Sequence, residues 1–312
     1  MSLPVQPTKN HQYLVITVNY NNALLTEQLL TSGLASAHAA NTYVEFIVVD
    51  NSHDFDDDRI SLLCNNRISL LVLQPDHNLG YFGGINYALS RHKTQLSTYD
   101  AALVMNNDML FPLDFFSSLI KSEQILRLSA VICPQILSSN SRYENPHVDK
   151  PLSASRELLY SLLYSNFFLY RLMLFLSAAF KRPFKRFGDA DNSLLVRPTP
   201  IYQGYGAAYV LTRAFFENSL AIDYPGFMYF EEFFLTEHIA KYGYLPIFVP
   251  SLLLLHIGGA TTTSSSSTFT FSCQKNSFRL YRKYVKPFAR FSHSVAINNY
   301  SKIYQHLASL LS

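Results

Sequence analysis

Residues 44–54 read VEFIVVDNSHD, an apolar, β-branched run that stops at a carboxylate followed by asparagine and serine. β-Branched residues suit a pleated strand, and Asn, Asp and Ser form turns, so the segment predicts a buried strand that ends in a polar loop. The same grammar recurs on both sides. Residues 13–19 (YLVITVN) lead into Tyr20 and Asn21; residues 68–74 (ISLLVLQ) lead into Asp76-His77-Asn78-Leu79-Gly80; residues 101–105 (AALVM) lead into Asn106-Asn107-Asp108. Residues 22–37 carry leucines at helical spacing, interrupted by Gly33, and residues 84–92 predict the start of a further helix. Strands alternating with helices predict an α/β fold with a mixed, mostly parallel central sheet covered by helices.

In a parallel sheet the four polar clusters fall at carboxyl ends and gather on one edge, where open α/β sheets bind ligands. One cluster is an ordinary turn; four at successive strand ends predict a nucleotide pocket. Asp50 suits a base or ribose, or equally a cap on the turn at Asn51 and Ser52. Gly80, Gly83 and Gly84 allow the backbone to approach a ligand ahead of a helix, or simply make a tight turn. Their spacing is not GxGxxG, which argues against a dinucleotide fingerprint. Asp108 is the best metal candidate, because a diphosphate leaving group needs a divalent cation such as Mg²⁺ or Mn²⁺ held by one or two carboxylates. The same aspartate after a strand also suits a turn.

The 312 residues are 48% apolar and 15% charged, with net charge +3, too weak to argue for nucleic acid. Cys64, Cys133 and Cys273 are far apart and odd in number, which supports neither a zinc knuckle nor a disulfide framework and fits a reduced, cytoplasmic setting. The opening MSLPVQPTKNHQ lacks an apolar signal core, so secretion is not expected.

Residues 157–180 are nearly continuous apolar sequence with basic flanks at Arg156, Lys181, Arg182, Lys185 and Arg186. The length would span a bilayer, but Arg171 near the centre would cost roughly 2.5–3.5 kcal/mol there. Two readings stay open: a helix or helical hairpin packed in the core or at a homodimer contact, and a peripheral element docked on the inner face of the cytoplasmic membrane. Strands are expected again at residues 206–211 and 245–249, a polar loop at 261–267 (TTTSSSS), and basic-aromatic helices at 274–284 and over the last dozen residues.

Glu231 and Glu232 are set between Phe227-Met228-Tyr229-Phe230 and Phe233-Phe234-Leu235. Burial there would raise a carboxylate pKa, as a general base requires; the alternative is one glutamate capping a helix and the other in water. His256 ends the run SLLLL before Gly258 and Gly259, a strand-end position that suits a metal or diphosphate contact.

In this order the clusters resemble glycosyltransferase family 2, in particular its rhamnosyltransferase-like, capsular and O-antigen branch. VNYN (18–21), VVDNSHD (48–54), HNLGYFGGIN (77–86), MNND (105–108), GYGAAYVLTR (204–213), YFEEFFLTEHIAKYGY (229–244), His256 and Gln274-Lys275-Asn276 carry the resemblance, over about residues 13–285. It implies a GT-A fold over residues 1–262, with an apolar helical insertion at about 152–187 and a C-terminal helical segment at 263–312. It further implies a UDP- or dTDP-sugar donor, a glycan or lipid-linked oligosaccharide acceptor, Mn²⁺ or Mg²⁺, inversion at the anomeric carbon, and no nucleic-acid partner. Donor binding falls on Asn19, Asn21, Asp50, Asn51, Asn78, Gly80, Gly83, Gly84, Asn86, Asn106 and Asn107, the metal on Asp108 and His256, and catalysis on Glu232 with Glu231. The chain departs from the family pattern at Asn106, in place of the first acid of the metal motif, at Phe234, in place of a later acid, and at His238, in place of an arginine. Those departures keep open a noncatalytic partner in a membrane glycan-assembly complex. A nucleotidyltransferase would want glycines and basic residues after the first strand, which residues 19–23 do not supply.

Overall fold

Alternation along the first strand explains how one sheet serves two cores. In β1 (Gln12–Asn19), Tyr13 and Val15 join one hydrophobic cluster while Leu14 and Ile16 join the other, as the two-residue period of a strand requires. The computed structural model describes residues 11–148, 151–179, 197–219, 221–258 and 266–288. The basic residues Lys181, Arg182, Lys185 and Arg186, Gly259, residues 261–265 of the polar loop and the last dozen residues lie outside these.

After β1 come α1 (Ala23–Ala40), β2 (Tyr43–Asp50), α2 (Asp58–Ser61), β3 (Ile68–Leu73), α3 (Gly80–Arg91) and β4 (Ala101–Asn106). The four strands are all parallel, in the order β3-β2-β1-β4. Asn19 pairs with Asp50 and Val18 with Asn106, so three polar strand ends sit side by side at one edge. The second half adds β5 (Met109–Leu110), α4 (Phe115–Lys121), α5 (Glu123–Leu126), β6 (Val131–Ser138), α6 (Ala154–Leu163), α7 (Phe167–Ala179), β7 (Thr199–Pro200), β8 (Ala208–Thr212), α8 (Arg213–Asn218), α9 (Glu231–Ala240), β9 (Ile247–His256) and α10 (Ser267–Tyr284). Here the sheet turns mixed: β8 is antiparallel to β4 and β6, β9 is parallel to β6, and β5 and β7 are antiparallel to β9. The fold is therefore α/β with a mixed sheet, whose four-stranded parallel block comes from the first half of the chain.

α1 and α4 cover one face through Leu29, Leu30, Phe115 and Phe116; α3, α8 and α9 cover the other through Phe82, Ile85, Phe215 and Leu235. Gly33 interrupts the leucine pattern of α1 for a steric reason: a Cβ there would lie 2.8 Å from a ring carbon of Phe46 on β2. A third, aromatic cluster joins α9 to α10 through Phe230, Phe233, Phe278 and Tyr281.

The long apolar segment does not form one helix. α6 and α7 are bent by 113° at a short break, and among the described residues no single helix is long and apolar enough to cross a membrane. Core packing is also not what most of its large side chains do: Leu158, Leu162, Phe168 and Phe175 are exposed.

The α1 contact yields a stability test. Gly33→Val should lower stability by about 1–3 kcal/mol through overpacking against the buried Phe46 ring. The readout is a reduced urea midpoint at unchanged denaturant slope; an unchanged midpoint would show that the α1–β2 contact yields freely.

Candidate active site

The carboxyl edge of the parallel strands is organised by a buried polar network. The Asn19 amide donates to Asp50 Oδ1 at 2.8 Å and to Asp54 Oδ1 at 2.6 Å, and its oxygen accepts from the Thr26 hydroxyl at 2.9 Å. Asn107 donates to the same Thr26 hydroxyl at 3.0 Å, which ties the end of β4 to α1. Burial alone would raise the Asp50 pKa, but hydrogen bonds from Asn19, from the Phe55 and Ser52 N–H groups and from Gln74 together hold it below the ordinary carboxylate range. Asn19 and Asp50 are fully buried and do not line the cavity in front of them. They sit behind Asn51, whose N–H donates to the Asn19 carbonyl at 2.9 Å and whose side chain accepts from the Leu79 N–H at 3.2 Å.

In front of this network opens a cavity of about 760 Å³. Of the residues nominated from the sequence, Asn51, Asn78, Gly80, Asn106, Asn107, Asp108, Glu231, Glu232 and His256 line it. Asn19, Asn21, Asp50, Gly83, Gly84 and Asn86 do not. Asn21 is exposed at φ 53° and its N–H donates to the Ser52 hydroxyl. Asn86 is occupied by Ile222, donating to its carbonyl at 2.8 Å and accepting from its N–H at 2.7 Å. The glycines make close approaches to protein: a Cβ on Gly84 would lie 2.9 Å from Val18, and one on Gly80 would lie 2.4 Å from the Phe227 carbonyl. The helix they open starts at Gly80, four residues before the sequence pattern places it.

Asp108 and His256 are far apart in sequence and adjacent in space. The two-residue β5 pairs Met109 with His256, and the Ile257 N–H donates to the Asp108 carbonyl at 2.9 Å. This register sets His256 Nε2 3.2 Å from Asp108 Oδ2. The other carboxylate oxygen of Asp108 is buried and has no hydrogen-bond partner. A carboxylate oxygen without a partner beside an imidazole nitrogen fits a divalent cation whose remaining ligands come from phosphate and water. Asp56, Asp57 and Asp58 also bring their carboxylates together, but they stand at an exposed turn outside the cavity, with Asp57 already accepting from the Ser61 hydroxyl at 3.0 Å.

Glu231 and Glu232 occupy the first turn of α9, not an extended segment. The chain enters this turn through Tyr229 and Phe230, both left-handed, at φ 69° and 65°. Bulky side chains reach that region only when their surroundings enforce it. Here the Phe230 ring is held against Phe233, Phe278 and Tyr281, with centroids 5.5–5.7 Å apart. A helix N-terminus favours a charged carboxylate, yet burial and then the neighbouring Glu232 charge push the Glu231 pKa up. Burial also raises Glu232, against hydrogen bonds from backbone N–H groups that include Gly206. A Cβ on Gly206 would lie 2.4 Å from Glu232 Oε1, so glycine is what lets the carboxylate reach this backbone. Phe234 and His238 lie outside the cavity: Phe234 packs edge-on against Tyr224, and His238 is buried between Phe215 and Tyr242. Both departures from the family pattern on α9 therefore fall in the core.

Of the lining residues that the sequence reading does not nominate, Tyr81, Gln203 and Tyr205 stand nearest the chemistry in kind. The Tyr81 hydroxyl is buried without a partner, and its pKa is raised well above normal by burial and by the charges of Glu231, Glu232 and Asp108. Gln203 likewise points an unpartnered, buried carbonyl oxygen, and the Tyr205 ring packs against His256 with centroids 5.8 Å apart. Tyr81 stands among the glycines of residues 77–86, where its aromatic neighbours make it look like a core residue.

With this geometry in hand, residues 1–349 of S. aureus TarS superpose at a TM-score of 0.50 and 15% identity, covering 79% of this chain. The fold is that of the GT-A glycosyltransferases. This chain spans 60% of that TarS fragment. GalNAc-T7 determined with UDP, GalNAc and Mn²⁺ aligns at a TM-score of 0.49 and 14% identity, over 85% of this chain and 47% of that one. The TarS fragment in complex with UDP-GlcNAc aligns at 0.48 and 15% identity, over 82% and 61%. No protein-family model and no curated protein sequence matches the chain. The cavity lies at the carboxyl edge of the parallel strands and reaches Asp108 ahead of β5 and His256 at the end of β9.

The glutamate pair predicts a pH signature. A carboxylate whose folded pKa is raised favours folding while protonated, and that contribution is lost as pH climbs from the ordinary carboxylate range through the raised value. Glu231→Gln removes the cost of ionising a buried group. Its urea midpoint should therefore exceed that of the wild type by a margin that grows over this window and then levels. A margin that shrinks with rising pH would contradict the raised pKa.

Proposed function

We propose that this cavity transfers a sugar from a uridine or thymidine diphosphate donor to a hydroxyl of a glycan or lipid-linked acceptor, with inversion at the anomeric carbon. The observation that carries the reading is the meeting of Asp108 and His256 with Glu231 and Glu232 in one cavity of a GT-A fold. The base and ribose would lie against Asn51, Asn78 and Gly80, with Asp50 and Asn19 holding Asn51 from behind. Asn106 and Asn107 would face the phosphates. Asp108 and His256 would hold Mn²⁺ or Mg²⁺, and the bound ion supplies the positive charge that stabilises the departing diphosphate.

The protein's own part is proton transfer and orientation. Glu232, anchored by the Gly206 N–H, accepts the proton of the acceptor hydroxyl. Glu231, held further towards its protonated form by burial and by Glu232, donates a hydrogen bond that orients the acceptor. The acceptor oxygen bonds to the anomeric carbon as the bond to the diphosphate oxygen breaks, and the nucleoside diphosphate leaves. The unpartnered Tyr81 hydroxyl, lining the same cavity, would donate a hydrogen bond to a bound sugar. A rhamnosyl donor and a role in capsule or O-antigen assembly are the finer form of this reading, supported by the motif series.

Glu232→Gln keeps size and hydrogen bonding but cannot take the proton. It should lower kcat by about 10²–10⁴-fold with little change in donor KM. A dead Glu231→Gln beside a mild Glu232→Gln would exchange the two roles, and near-normal turnover by both would remove the pair from the chemistry.

The metal assignment has its own test. Asp108→Asn should abolish transfer at limiting Mn²⁺ while leaving the melting temperature near that of the wild type. In the wild type, a matching UDP- or dTDP-sugar should raise the melting temperature more with Mn²⁺ than without, through binding to the folded state. Full activity of Asp108→Asn at limiting Mn²⁺ would sink the assignment.

A further inference from the structure

We propose that the α6–α7 hairpin, with α10 packed beside it, is a docking surface for an anionic lipid bilayer. The hairpin has two unlike faces. Its tyrosines turn inward: Tyr164 packs at an angle against Phe278 and edge-on against Phe230, and Tyr170 packs on Phe271 of α10. Its outer side chains have no such cover, with Leu158 72%, Phe168 70% and Phe175 68% exposed and Leu162, Leu172 and Leu176 exposed beside them. Isolated exposed leucines are ordinary on a soluble protein; a cluster of large apolar side chains on two consecutive helices marks an interaction surface.

Charge selects the occupant. α6, α7 and the α10 segment (residues 154–179 and 266–288) contain seven basic residues, among them Arg171, Arg279 and Lys283, and one acidic residue, Glu157, which is buried and paired with Lys286. The whole chain carries only +3, so the remainder is acidic on balance. A second copy of this chain would oppose basic layer to basic layer, which repels. Exposed apolar side chains beside a layer whose charge is basic on balance match an anionic leaflet, whose acyl boundary takes the former and whose headgroups attract the latter. The two helices reach the length and hydropathy of a span only together, and the bend of 113° between them suits a pair that lies in the interface. Tyr164 also lines the cavity, so the hairpin stands between the lipid and the site. Resting on the glycosyl-transfer reading, this geometry offers the cavity to an acceptor carried on a lipid.

The test is flotation of the full chain with vesicles of phosphatidylcholine alone or with one third phosphatidylglycerol. Binding should require phosphatidylglycerol and weaken with salt as the attraction is screened. The triple variant Leu158→Gln, Phe168→Gln, Phe175→Gln should bind about tenfold or more weakly at an unchanged melting temperature, because the three side chains are exposed. Arg279→Glu with Lys283→Glu should erase the preference for the anionic lipid even if the first variant misfolds. Wild-type protein that stays unbound at low salt overturns the proposal, as does undiminished binding by both variants. So does a wild-type dimer that the triple variant dissolves while neither binds vesicles. Vesicle binding is read without turnover, so an inactive wild-type protein that floats would sink only the enzymatic reading.

Discussion

The Asp50 carboxylate is buried at the end of a parallel strand, and the site depends on how that charge is satisfied. Five hydrogen-bond donors do so: the Asn19 amide, the Phe55 and Ser52 N–H groups, the Ser52 hydroxyl and the Gln74 amide. A buried charge deprived of such partners is expensive, so the loops that supply them are not free to drift. Asn19 extends the constraint to α1 through Thr26, and Thr26 extends it to Asn107 at the end of β4. Three strand ends and one helix are thereby locked in register. Asn51 and Asn107 reach the cavity with that network fixed behind them.

The opposite problem is solved at α9. There the local field of a helix N-terminus favours charge, while burial opposes it. Burial dominates at Glu231, where a second carboxylate adds to it. The left-handed Tyr229 and Phe230 that aim the pair into the cavity are strained, and the aromatic cluster shared with α10 holds them in place. α10 thus acts on the site without supplying the glutamates: it stabilises the turn that presents them.

β5 shows how little regular structure a site needs. Two residues paired with the end of β9 are enough to bring Asp108 to His256. Strand pairing fixes relative position to within a fraction of a residue, so a short antiparallel contact sets a carboxylate–imidazole distance between groups on distant parts of the chain.

The α/β class, the first four strands and the edge on which polar residues collect follow from the sequence by itself, because strand burial demands apolar runs and chain reversal demands turn residues. Asp108, Glu231 and Glu232 stand out there too, since a carboxylate beside apolar sequence is locally conspicuous. Tertiary structure decided what local pattern cannot encode. It placed Asp50 and Asn19 behind the cavity, because burial depends on what packs over a strand end. It turned Gly84 and Gly80 towards Val18 and Phe227, because a glycine records a close approach without recording to what. It brought Tyr81 among three carboxylates, and it broke the apolar segment into a bent, exposed pair, because hydropathy reports a need for cover and not the geometry that leaves the cover missing.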